Sequence, residues 1–186
     1  MGRAMRTGIA VGILLACMAS IAAAQAAVGK LMVAVTANGE AAVGRVEVLP
    51  AGGGAAVTTE GGRAVDVPVG TYQVKVTLTE ALDDPVRTQD AVQVTAGAQA
   101  TVTVDFEVSR ITLVCRKGEA DVQGEVKIRR PGASAWLGPV RCGEPFLVSG
   151  GSYEAQVTAA GAATPVTIDR VQIMAGATQR LPLHLP

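Results

Sequence analysis

From Leu31 onward the apolar residues of this chain recur at every second position, in short runs broken by polar and glycine-containing segments. The first series is Leu31, Val33, Val35; Val46, Val48; Val65, Val67, Val69; Tyr72, Val74, Val76, Leu78; Val92, Val94; and Val102, Val104, Phe106. The second is Ile111, Leu113, Cys115; Val126, Ile128; Phe146, Val148; Tyr153, Ala155, Val157; Val166, Ile168; Val171, Ile173; and Leu181, Leu183, Leu185. A period of two puts each run on one face of a β-strand, and the abundance of Val and Thr suits a pleated, half-buried surface. Breaks such as Asn38-Gly39, Gly52-Gly53-Gly54, Gly61-Gly62, Lys117-Gly118 and Gly150-Gly151 fall where turns need positive φ or a tight reversal. After residue 27 the pattern allows at most one turn of helix, around Glu80–Asp84. Six or seven alternating strands per series need two sheets packed face to face to cover their apolar sides.

The two series are one pattern written twice. Gly70-Thr71-Tyr72-Gln73-Val74 returns as Gly151-Ser152-Tyr153-Glu154-Ala155, and Val92-Gln93-Val94-Thr95-Ala96-Gly97 as Val171-Gln172-Ile173-Met174-Ala175-Gly176. A repeat of about 80 residues is a small domain rather than a solenoid unit. The expected fold is all-β: two tandem Ig-like or prealbumin-like β-sandwiches, 27–107 and 108–186, behind a signal peptide at 1–26. The junction Phe106-Glu107-Val108-Ser109-Arg110-Ile111 has no Gly or Pro and is β-prone, which predicts a stiff tandem.

Residues 1–26 carry Arg3 and Arg6, an apolar run from Ile9 to Ile21, and Ala24-Gln25-Ala26 as a small-x-small cleavage site. That run is shorter than the roughly 20 residues that span a bilayer, and no transmembrane segment is predicted. The processed chain then begins near Ala27 and is periplasmic or secreted. The alternative is a lipobox at Leu14-Leu15-Ala16-Cys17, which would make Cys17 a lipid anchor.

Removal of the leader takes Arg3 and Arg6 from 16 basic residues, leaving 14 against 16 acidic and a formal charge of −2. That balance gives no general attraction to nucleic acid, which is excluded as a partner. The first repeat holds 5 basic and 9 acidic residues and the second 9 and 7, a difference that reads as ordinary surface variation, with head-to-tail contact or an anionic surface as the alternative. Two cysteines remain, Cys115 and Cys142. In an exported protein an even pair is most simply a disulfide, with free thiols or metal ligation short of further ligands. Cys115 falls where Val35 lies in the first repeat, so a bridge would replace a hydrophobic contact made by the other copy.

An apolar strand, an Asn-Gly turn, a Val-x-Val strand with a glycine-rich loop, Gly-Thr-Tyr-x-Val-x-Val and a final Val-x-Val-x-Phe together resemble a known module. They are similar to bacterial prealbumin-like or carboxypeptidase-regulatory-like β-sandwich repeats, akin to PEGA and Cna-B modules, which often accompany von Willebrand factor A domains. The resemblance covers nearly the whole processed chain and is sharpest at Gly70-Thr71-Tyr72 and Gly151-Ser152-Tyr153. It implies an accessory or spacer role and brings no catalytic residues. Pro182 departs from it and should place the last strand at a sheet edge.

Candidate chemistry is sparse. The single histidine, His184, alternates outward between Leu183 and Leu185 near the end of the chain, and the hydroxyisourate hydrolase signature is missing. Asp83-Asp84 beside Glu80 could ligate calcium but lacks the spacing of a calcium loop and reads as a solvated turn. Gly52-Gly53-Gly54 is followed by no Gly-Lys-Ser/Thr and reads as a hairpin loop. No catalytic residue, metal ligand or cofactor is expected. The one basic concentration is Arg129, Arg130 and Arg141, with Arg116-Lys117, and Trp136 lies in the predicted loop Arg130–Arg141. Guanidinium groups with an aromatic could bind an anionic glycan or cell wall, or simply be a solvated set with Trp136 as a loop anchor. The expected function is a non-enzymatic scaffold for an envelope or secreted protein partner, with strand addition at sheet edges as the mode. The alternative is a glycan- or cell-wall-binding module using the Arg130–Arg141 loop.

Overall fold

A computed structural model describes residues 27–186; the signal peptide, its cleavage site and Cys17 lie outside them. The first repeat forms β1 (Val28–Ala37), β2 (Glu40–Ala41), β3 (Gly44–Pro50), β4 (Val57–Glu60), β5 (Ala64–Pro68), β6 (Gly70–Leu78), β7 (Val86–Val94) and β8 (Gln99–Phe106). The second forms β9 (Val108–Lys117), β10 (Ala120–Asp121), β11 (Gly124–Arg129), β12 (Leu137–Arg141), β13 (Pro145–Ser149), β14 (Gly151–Ala159), β15 (Val166–Ile173) and β16 (Thr178–Leu185). The two sets correspond one to one, so that β1 and β9 begin at 28 and 108, and β6 and β14 at 70 and 151. Each set makes two sheets. One is the antiparallel ladder β4-β3-β6-β7, matched by β12-β11-β14-β15. In the other, β1 is flanked on one side by β2 and β5 and on the other by β8, as β9 is by β10, β13 and β16.

The first and last strands of each repeat pair in parallel, Lys30–Ala37 against Gln99–Phe106 and Arg110–Lys117 against Thr178–Leu185. Pro182 lies on β16, which among the described residues pairs only with β9, so its missing N–H faces an edge left open there.

Alternation sets the core. In β6, Tyr72, Val74, Val76 and Leu78 are all 4% exposed or less and pack with Leu31, Val33, Val46 and Val48 between the sheets. The second core is built likewise from Ile111, Leu113, Val126, Ile128, Tyr153 and Val157. Burial of each such aliphatic side chain contributes about 1.5–3 kcal/mol. Each tyrosine lies ring-inward and donates its hydroxyl four residues back, Tyr72 to Pro68 O at 2.6 Å and Tyr153 to Ser149 O at 2.8 Å. This is the physical content of the repeated Gly-[Thr/Ser]-Tyr, and it works like the tyrosine corner of immunoglobulin sandwiches. The glycine is not equivalent in the two copies. Gly151 has φ 140 and no room for a Cβ beside Arg130, whereas a Cβ at Gly70 would meet only ordinary contact with Tyr72 at 3.8 Å.

Two expectations need correction, and the single helical turn allowed at Glu80–Asp84 is not taken up. Two strands were missing from the alternation: β4, which is largely exposed, and β12, which occupies much of the expected loop Arg130–Arg141. Neither buries a regular apolar face, so neither carries a period of two. The segment Glu80–Asp84 forms no helical turn; it is a pair of tight turns around a single β-bridge from Ala81 to Leu147. The runs Val166-Ile168 and Val171-Ile173 belong to one strand, β15, kinked by a register shift against β14.

Cys115 and Cys142 are bonded, with Cα atoms 5.6 Å apart. Cys142 follows β12 in the sheet opposite β9, so the bridge ties the two sheets together. By the repeat offset the corresponding pair is Val35 and Gly61. Backbone bonding there is the same: Gly61 N–H to Gly44 O matches Cys142 N–H to Gly124 O, and Gly62 N–H to Val33 O matches Gly143 N–H to Leu113 O. A Cβ built on Gly61 would lie 3.1 Å from Val35 Cβ, near the roughly 3.5–4.5 Å of bridged cysteines. One copy therefore fills this place with a valine over a glycine and the other with a disulfide. The double variant Val35→Cys/Gly61→Cys should form a second bridge, read as no free thiol in the denatured, unreduced protein. It should add about 3 kcal/mol of stability; two titratable thiols would refute the equivalence.

Candidate functional site

With only Glu107 between β8 and β9, the lower end of the first sandwich meets the upper end of the second. Val108 opens β9 yet is buried in the first core. Asn38, in the tight turn after β1 with φ 54, bonds it through both amide atoms: Nδ2 donates to Val108 O at 2.7 Å and Oδ1 accepts from Val108 N–H at 3.1 Å. The turn is held in place by Asp105, which accepts from Thr36 Oγ1 at 2.6 Å and from Gly39 N–H at 2.9 Å. Those two hydrogen bonds, aided by the Arg87 charge, hold the Asp105 carboxyl below its ordinary value.

On the other side of the junction the loop after β6 adds to the free edge of β13. Leu82 N–H donates to Leu147 O at 2.8 Å, and Ala81 forms a parallel bridge with Leu147. The side chains interlock, Leu82 packing against the second core and Leu147 against the first. Asp83, expected as part of a solvated turn, caps this contact. Its Oδ1 accepts from Ser149 N–H at 3.1 Å, and its Oδ2 lies 3.7 Å from Arg130 Nη2, with the side chain 14% exposed. The Arg130 guanidinium also stacks on the Tyr153 ring, 4.5 Å from its centre, and donates to Gly150 O at 3.2 Å. Burial, then the Asp83 charge, push the Tyr153 hydroxyl up to about 12, against the lowering effect of Arg130.

The basic residues singled out from sequence are therefore dispersed. Arg129 sits directly opposite Glu154 across the β11–β14 ladder, with Nε 2.7 Å from Glu154 Oε2, and lies 4.4 Å over the half-buried Trp136 ring. Arg130 belongs to the junction. Arg141 pairs with Glu144 at 3.7 Å, and Arg116 with Asp121 at 3.1 Å. Only Arg129 and Trp136 come together, and the guanidinium covers one face of the ring that a sugar would need. His184 is exposed on β16. Phe146, expected inward, is half-buried and lines a groove of about 600 Å³ at the junction with Glu40, Glu80, Arg110 and Leu147. Nothing in the sequence marked that groove, because its walls come from both repeats. Among the described residues no helix is long and apolar enough to cross a membrane.

No family model matches the chain, and no curated protein sequence does. Solved structures are similar at low identity. The Bacillus anthracis TIE protein matches at 16% identity and TM-score 0.34, over 86% of this chain and 34% of its own. The tip fimbrial protein Mfa3 from Porphyromonas gingivalis matches at 10% and 0.37, over 77% and 81%. A streptococcal ancillary pilin matches at 12% and 0.34, over 83% and 62%. The chain thus spans about a third of the TIE protein. At these identities and TM-scores no function follows from the likeness.

The junction sets an alkaline limit on stability. The folded Tyr153 value lies above the ordinary 10, so its contribution is complete below about pH 10 and is lost as pH rises toward 12. In a Tyr72→Phe background Tyr153 is the sole tyrosine, and its phenolate absorbance should titrate near 12. Asp83→Asn should lower that midpoint, and losing the carboxylate from the Ser149 N–H should cost about 1–2 kcal/mol. A midpoint unmoved by Asp83→Asn would show that the carboxylate does not act on the ring.

Proposed function

We propose that the protein is a non-enzymatic structural component of the cell envelope, exported by its first 26 residues, whose two β-sandwich units, 27–107 and 108–186, serve as a stiff scaffold for protein contacts. One observation carries this reading: the junction is clamped from both sides. Asn38 holds Val108, and the Ala81–Asp83 segment extends the β13 edge, so the two units present their outer surfaces in a fixed relation. A stiff spacer gains from such a clamp because a partner binding both units pays no ordering cost at the joint.

The chemistry of the basic residues agrees. Arg129, Arg130, Arg141 and Arg116 each face a carboxylate of the same chain, which spends their charge internally. The glycan- or cell-wall-binding alternative needs Trp136 and these arginines exposed together, and the Arg129 stack on Trp136 argues against it. The carboxypeptidase-regulatory-like resemblance fits a spacer role and remains part of this proposal.

Amine-reactive cross-linking in intact cells, followed by peptide mass spectrometry, tests the scaffold. Interchain cross-links to an envelope protein or a second copy are expected through Lys30, Lys75, Lys117 or Lys127. Only intrachain links at native abundance would reject the reading. Trp136→Ala should leave any retention on purified cell wall unchanged, whereas a loss of about tenfold or more would favour the glycan alternative.

A further inference from the structure

A strand at the edge of a sheet offers a row of unpaired backbone N–H and C=O groups, and folded proteins block such rows with short strands, prolines, charges or bulges. Among the described residues, nearly every sheet edge of this molecule is blocked in one of those ways. β2 and β10 are two residues long, and β4 is four. β5 has five residues and ends on Pro68, and β12 has five with Pro139 among them. β7 and β15 are kinked by register shifts, with Ala91 of β7 at φ 57. The β13 edge is taken by the Ala81–Asp83 segment, and the β16 edge is broken by Pro182. β8 is the exception. It runs for eight residues, Gln99–Phe106, in unbroken register with β1, and contains no Pro, Lys or Arg.

The ladder fixes which groups of β8 stay open. Lys30 N–H donates to Ala98 O and Asn38 N–H to Phe106 O, each at 2.9 Å, so the even-numbered residues turn their backbone groups toward β1. The odd-numbered ones, Gln99, Thr101, Thr103 and Asp105, turn theirs outward, and all four are exposed. The second repeat fills the same row differently. Thr103 pairs with Ala34 as Pro182 pairs with Val114, and Thr101 and Asp105 correspond to Arg180 and His184. One copy thus carries a proline and a permanent cation where the other carries two threonines, residues that favour a strand.

We propose that β8 is a strand-addition site whose occupant is β8 of a second copy of this chain, running antiparallel about a two-fold axis. A second copy is chosen because the row complements itself. With Val102 opposite the partner's Val102, Thr101 faces the partner's Thr103, Ala100 the partner's Val104, and Gln99 the partner's Asp105. Apolar side chains then meet on the core side, where Ala100 and Val102 are half-buried, and polar ones meet on the other. Threonine pairs and an amide facing a carboxylate are favourable cross-strand neighbours. A slip of one residue would set threonines opposite valines. This register engages all four outward residues in about eight hydrogen bonds. The contact is isologous and closes at the dimer. It falls well below the roughly 1,200 Å² of a standard interface, so the dissociation constant is on the order of 10 μM to 1 mM. The proposal rests on the scaffold reading and names its partner.

The test is sedimentation of the exported protein from micromolar to millimolar concentration. Wild type should pass from monomer to a dimer plateau with nothing larger. Thr103→Pro introduces what the second repeat already accommodates at this place, so it should fold, as a thermal melt will verify, and weaken the dimer by about tenfold or more. Thr101→Lys should weaken it likewise by charge. Register is read with cysteines. Opposed residues of a non-hydrogen-bonded pair have Cα atoms about 4.5 Å apart, within disulfide reach. Val102→Cys should therefore oxidise to a covalent dimer, whereas Thr101→Cys, opposite the partner's Thr103, should not. A monomer at every concentration, growth past the dimer, Thr103→Pro dimers as tight as wild type, or failure of Val102→Cys to bridge would overturn the pairing. Wild type that stays monomeric yet cross-links to another envelope protein in cells would sink the pairing and leave the scaffold reading standing.

Discussion

A single residue, Glu107, separates the last strand of one sandwich from the first strand of the next, and so short a connection leaves the joint no slack. The ends of the two units must touch, and every polar group brought together there needs a partner. The junction shows how that demand is met: an asparagine side chain stands in for a neighbouring strand, a three-residue segment extends an open edge, and an aspartate takes up a peptide N–H. The raised Tyr153 hydroxyl follows from the same crowding, since its ring is covered by Arg130 and its oxygen lies near the Asp83 charge.

Internal duplication makes the chain its own control. Positions that differ between copies are places where one backbone geometry has been filled in two ways. Gly29 has no space for a Cβ beside Thr95 O, while Ser109 at the equivalent place sends its hydroxyl 2.6 Å to Met174 O. Val35 over Gly61 becomes a bridge between Cys115 and Cys142. At the upper ends Arg130, Ser149 and Gly150 stand where the first repeat has Pro50, Pro68 and Val69, a change in charge and hydrogen-bonding capacity at the surface rather than in filling inside.

The alternation of Val, Leu and Ile made the cores, the repeat and both inward tyrosines legible from sequence, and the even cysteine pair behind an export signal did the same for the Cys115–Cys142 bond. It missed β4 and β12 for a physical reason: these edge strands bury no continuous face, and Val57-Thr58-Thr59-Glu60 or Leu137-Gly138-Pro139-Val140 carry no period to detect. The basic cluster looked coherent because its members lie close in sequence. Register then placed Arg129 opposite Glu154 and sent Arg130 toward Asp83, and no local pattern encodes cross-strand partners. Asp83-Asp84 read as a solvated turn since its receiver lies far along the chain.

The parallel pairing of first and last strands has a mechanical meaning. The leading end of β1 and the trailing end of β8 lie at opposite ends of their shared ladder, as do those of β9 and β16. Tension applied through the termini loads the hydrogen bonds of each ladder together, in shear, where a hairpin would unzip them one by one. In a single-molecule pulling measurement each sandwich should give way in one abrupt high-force rupture; a gradual low-force extension would contradict that geometry. Each ladder therefore resists separation most strongly along its own axis.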